Sequence, residues 1–130
     1  PTDEGVLIYG YKWESGECAS MVFVHVDLEG HVLFSKTFAD MQSVLSVCAA
    51  SRGGYYFAEN ADDGLNVFYL SDDGETELLQ SVSCDNLISC RNMYEEPDGS
   101  LTCVGEMRVL TDDGCVREKL FILSLAAPFF

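Results

Sequence analysis

Apolar residues in this chain come in short runs bounded by Gly and Asp clusters, and no segment shows a helical period with caps. Three runs open on glycine: Gly5-Val-Leu-Ile-Tyr-Gly, Gly54-Tyr-Tyr-Phe-Ala-Glu and Gly99-Ser-Leu-Thr-Cys-Val-Gly. Each is followed by a second apolar run: Val22-Phe-Val-His-Val-Asp, Val67-Phe-Tyr-Leu-Ser-Asp and Lys119-Leu-Phe-Ile-Leu-Ser. These runs are rich in Val, Ile, Phe, Tyr and Leu, side chains that fit a pleated, half-buried surface. Strands are therefore expected near 5–12, 20–27, 31–38, 43–50, 54–59, 65–71, 76–82, 87–93, 100–107 and 116–125.

Laying Gly30 over Gly74 puts Val24 over Phe68 and Val26 over Leu70. Phe121 and Leu123 follow when Ser124 is laid over Ser71 and Asp27. A short antiparallel unit cannot bury its own face and must stack on its copies. The spacing suits the four-stranded blade of a β-propeller, so the expected fold is all-β, with antiparallel propeller-type blades in three copies at about 1–40, 41–84 and 85–130. Naming strands A to D from the inside of a blade outward, the copies read B-C-D, A-B-C-D and A-B-C. Three partial blades do not close a ring, and raw edges invite pairing with another chain. Three outcomes stand open: a piece of a larger protein, two copies that complete one another, or strands that wrap into a β-sandwich or barrel.

A chain of 130 residues, 48% hydrophobic, suits one globular domain that buries roughly two thirds of its unfolded surface. Its most apolar stretch, 120–130, is broken by Ser124 and Pro128, so direct membrane insertion is not expected. A chain that opens at Pro1 is expected to have lost an N-terminal segment, with any export signal it carried. The formal net charge of −15 would repel a phosphate backbone and anionic headgroups, which argues against nucleic acid as a partner. Much of that acid falls at Asp62-Asp63-Gly64, Asp72-Asp73-Gly74 and Asp112-Asp113-Gly114, where Asp-Gly supplies the positive φ of a tight hairpin.

The motifs point to no reaction. There is no His-Glu-x-x-His, Gly-x-Ser-x-Gly or Gly-rich phosphate loop, and neither His25 nor His31 has a second ligand or base at a diagnostic spacing. No cofactor and no metal is implied: the Asp-Asp-Gly turns do not continue into an EF-hand loop. Two carboxylates could act as acid and base on a glycoside only if they faced each other across a cleft. Ser71-Asp-Asp-Gly-Glu-Thr is similar to the Asp-box turn of sialidase-type propellers, but lacks one residue before the glycine and the tryptophan, and supports only a hairpin. The six cysteines include no Cys-x-x-Cys pair. Cys48 and Cys90 each close a Leu-x-x-Cys stretch and should hold equivalent places, which makes them the pair to examine for a disulfide. Tyr9, Tyr11 and Trp13 fall at period two on one side of a strand. Such a row either stacks on sugar rings or anchors a protein partner, or else packs against the neighbouring blade.

From Gly54 onward the chain resembles the propeller-like region that precedes the solute-binding domain in some large extracellular lipoproteins of gut Firmicutes. The resemblance rests on Gly-Gly-Tyr-Tyr-Phe at 53–57, Glu-Leu-Leu-x-Ser-x-x-Cys-Asp at 77–85, Glu-Pro-Asp-Gly-Ser-Leu at 96–101 and Glu-Lys-Leu-Phe-Ile-Leu-Ser-Leu-Ala at 118–126. It implies an exported, membrane-tethered bacterial protein of the cell surface that serves nutrient uptake; six cysteines depart from it and keep a cytoplasmic place open. The expected function is a non-enzymatic binding or interaction module with a protein or glycan partner. The alternatives are a glycan-active hydrolase or lyase on an incomplete propeller, and a scaffold that self-assembles as a homo-oligomer through open sheet edges.

Overall fold

The computed structural model describes residues 5–14, 18–38, 43–61, 64–83 and 87–126. They form ten strands: β1 (Val6–Glu14), β2 (Cys18–Val26), β3 (Val32–Phe38), β4 (Ser43–Ala49), β5 (Tyr55–Ala61), β6 (Gly64–Leu70), β7 (Thr76–Ser83), β8 (Leu87–Glu95), β9 (Leu101–Leu110) and β10 (Val116–Leu125). Each predicted strand has its counterpart, and the fold is all-β. The strands pair antiparallel with their neighbours in sequence into three sheets, β1-β2-β3, β4-β5-β6-β7 and β8-β9-β10, none of which closes on itself.

Five hairpin turns share one construction. In each, the N–H of a glycine donates to the carbonyl of the residue three before it, and that residue donates to the carbonyl just after the glycine: Asp27–His31, Ala50–Gly54, Ser71–Glu75, Glu96–Ser100 and Thr111–Cys115. The pattern is a type I turn closed by a residue in the left-handed region, which glycine enters without steric cost. Gly74 and Gly114 hold φ of 90° and 82° there, so two of the Asp-Asp-Gly sequences are turns as expected. Asp62 and Asp63 of the other lie outside the described residues.

The middle sheet is covered on both sides, which explains why β5 reads as an unbroken apolar run. Alternate side chains leave a strand on opposite faces. Tyr55 and Phe57 pack with Met21, Phe23, Val44 and Leu70 against the first sheet. Tyr56 and Ala58 pack with Val67, Cys90, Met93, Leu101 and Cys103 against the third. Phe57 is central to the first interface, its ring 4.8 Å from Phe23 and 5.1 Å from Phe68. The second has a polar tie: at the bulge between Cys90 and Asn92, the Asn60 carboxamide accepts from the Cys90 N–H at 2.7 Å and donates to its carbonyl at 3.4 Å. A buried side-chain amide thus satisfies backbone groups that the bulge leaves without a ladder partner.

The outward faces of the first and third sheets are bare. On the first, Val6, Ile8 and Val32 stand exposed beside half-buried Val22, Val24 and Val26, with Ile8 opposite Val24 in the ladder. On the third, Tyr94, Leu120 and Ile122 are exposed around Val104, which lies opposite Ile122 in the ladder; Ile122 is 67% exposed and Leu120 73%.

Candidate functional site

Strand β1 carries the aromatic row that the sequence singles out. Its register pairs Tyr9 with Phe23, and the two rings lie 6.1 Å apart on the face turned toward the middle sheet. Tyr9 remains 40% exposed because it stands at the rim of that interface. The side chains of Tyr11 and Trp13 lie outside the described residues; their backbones continue β1 opposite Met21 and Ala19. Next to Tyr9 is a cavity of ≈ 160 Å³, walled by Leu7 and Tyr9 of β1, Val47, Cys48 and Ala49 of β4, and Tyr55 of β5. Its walls combine aliphatic side chains with polar groups, among them a thiol and two phenols.

The turns at one end of the sheets carry the polar constellations. In the β2–β3 turn, the Asp27 carboxylate accepts from the backbone N–H groups of Glu29 and His31 at 2.9 and 2.8 Å. These donors, His31 first, hold its carboxyl below the usual 3.8. The His31 Nδ1 is 3.1 Å from Asp27 and 3.7 Å from Glu29, so three groups of metal-ligand type share one exposed turn. The Asp-x-Glu-x-His spacing could have announced this grouping once the turn was placed, and sequence reasoning passed over it. His25 is different: buried on β2 against Phe34 and Tyr55, it has Nε2 3.4 Å from the Tyr55 hydroxyl and an Nδ1 with no hydrogen-bond partner among the described residues.

The β4–β5 turn is tied to both neighbouring turns. Ser51 donates through its N–H and hydroxyl to the Glu95 carboxylate at 2.8 and 2.7 Å. The Gly54 N–H donates to Asp72 at 2.9 Å, and the Tyr69 hydroxyl donates to the Gly53 carbonyl at 2.6 Å. The Arg52 guanidinium lies 3.7 Å over the Tyr69 ring, an attractive cation–π placement. No sequence motif announces this clasp, since its members come from three hairpins.

Cys48 and Cys90, the pair examined for a disulfide, are both free thiols, as are Cys103 and Cys115. The Cys90 sulfur is engaged elsewhere: it lies 3.2 Å from the Ser46 hydroxyl, donates to the Asn92 carbonyl at 3.3 Å, and shares a hydrogen bond with Cys103 that lowers Cys90 and raises Cys103. Burial, with Glu95 adding to it, pushes the Cys48 thiol up to about 12. The carboxylates of Asp72, Asp73, Asp112 and Asp113 stand in hairpin turns, and none of them borders the cavity.

Compared with protein-family models, curated proteins and solved structures, the chain matches none.

Proposed function

We propose that the chain is a non-enzymatic interaction module of propeller-type blades, and that another protein surface covers the outward face of its third sheet. One observation carries this reading. The sequence lays His25, Tyr69 and Ile122 over one another; His25 is buried against the middle sheet and Tyr69 is half-buried against the third, whereas Ile122 is 67% exposed. A position built for burial, left open beside Leu120 and Tyr94, marks a surface that a partner covers. The placement of the acids favours this reading over glycoside cleavage, because a general acid and base would have to face each other across a cleft. The lipoprotein resemblance extends the proposal to an exported, cell-surface bacterial protein that serves solute uptake.

Replacing Leu120 and Ile122 together with lysine tests the surface. Both side chains point away from the core, so stability should change by less than about 0.5 kcal/mol each, while the fluorescence of an apolar dye bound to the wild-type chain should fall. A wild-type chain that binds no dye, or a double variant that unfolds, would contradict the reading. The sugar-binding alternative for Tyr9, Tyr11 and Trp13 has its own probe in the single tryptophan: soluble oligosaccharides that stack there would shift its emission, and alanine at all three positions would remove the response.

A further inference from the structure

We propose that the free edge of β1, with the cavity beside it, is a docking site for an extended peptide strand from another protein. The strand would add to the first sheet as its fourth member and place one side chain in the cavity. This site is separate from the outward face of the third sheet.

Three observations place it. First, the middle sheet shows what normally occupies this position: β4 forms its edge, runs along β8 of the third sheet, and contributes Val44 and Val47 to one interface and Cys48 to the other. The first sheet has β1 at the corresponding edge, and the cavity of ≈ 160 Å³ stands between β1 and β4. Second, the cavity has room for one side chain, and its lining is part aliphatic and part polar, the latter including a thiol and two phenols. Third, among the described residues β1 pairs with β2 on one side only, and no described strand lies along its other side, next to the cavity. A free edge beside a side-chain pocket is the arrangement by which sheets take up peptide strands: main-chain bonds hold the strand and the pocket selects its residue.

The occupant is a strand of another protein rather than a second copy. All ten described strands are already committed to sheets, and two chains of net charge −15 repel each other. The same charge favours a strand with neutral or basic flanks. Its apolar pattern should resemble β4, which fills the equivalent place one sheet further on.

The probe is therefore a capped peptide copying residues 41–50, with Cys48 changed to Ser and two lysines appended. Saturable binding at micromolar to millimolar concentration is expected, with slowed amide exchange in residues 6–14. Ala49→Trp, which fills the cavity from an exposed position on its wall, should weaken binding by about tenfold or more; Tyr9→Glu on the opposite wall should do the same, so that misfolding of one variant leaves the other to decide. A peptide N-methylated at alternate residues should not bind. The Leu120→Lys/Ile122→Lys variant should bind the peptide as wild type does, which separates this site from the third-sheet surface. The proposal is overturned by the absence of saturable binding, by binding that survives both the wall variants and N-methylation, or by protection at β10 instead of β1. It is also overturned if β1 becomes protected in the peptide-free chain as protein concentration rises, since the occupant is then a second copy.

Discussion

The residue that best measures the packing is Phe57, fully buried between Phe23 and Phe68. Phe57→Ala should cost about 3–5 kcal/mol in chemical denaturation, and a loss under about 1 kcal/mol would mean that the two sheets do not meet there. The thiols make a second test. Of the four described thiols, mass mapping after alkylation at neutral pH should find exposed Cys115 modified first, half-buried Cys48 slowed by its raised pKa, and buried Cys90 and Cys103 reacting only on unfolding. At this scale the sequence was a partial guide. It picked out Tyr9 for its alternation with Tyr11 and Trp13, but it gave no hint that Asn60 would brace Cys90 or that Arg52 would lie over Tyr69. Those contacts depend on how sheets stack, and no local spacing encodes them.

At the scale of elements, the strands were legible because their ends are punctuated: glycine with positive φ closes each of the five turns that share one hydrogen-bond pattern. Strand lengths were less so. β1 runs to Glu14 and β9 to Leu110, beyond the expected ends at 12 and 107, because ladder pairing carries polar residues along the strand, as with Arg108 opposite Glu118. The two kinds of glycine should respond differently to substitution. Gly114→Ala meets no neighbouring atom and costs only the left-handed strain, roughly 1–2 kcal/mol. Gly105→Ala should be far worse, since its Cβ would stand 1.8 Å from the Ser89 carbonyl oxygen; equal thermal shifts for the two variants would refute this account of the bulge. The turn carboxylates of Asp27, Asp73, Asp98 and Asp113 are all held below 3.8 by hydrogen bonds within their turns. A group depressed in the folded state adds stability above its unfolded value and loses it as pH falls through the folded value. Carbon-detected NMR titration should therefore find all four midpoints below 3.8, with the turns loosening only beneath that pH.

For the whole molecule, the account rests on a middle sheet sealed on both faces and two outer sheets each left with one apolar face open. The recurrence of strand units led to an expectation of stacked sheets, and three stacked sheets are what the structure has, but the expectation of partial blades concerned raw strand edges and not open faces. Which faces stay bare was not readable from the chain, because His25, Tyr69 and Ile122 look alike in register and differ only in what lies against them. Hydroxyl-radical footprinting of the free chain in dilute solution tests this most directly. The account predicts rapid labelling of Ile8, Tyr94, Leu120 and Ile122, with Met21, Phe23, Tyr56 and Phe57 protected despite the high intrinsic reactivity of methionine and aromatic side chains. Protection of Leu120 and Ile122 equal to that of Phe57 would contradict it.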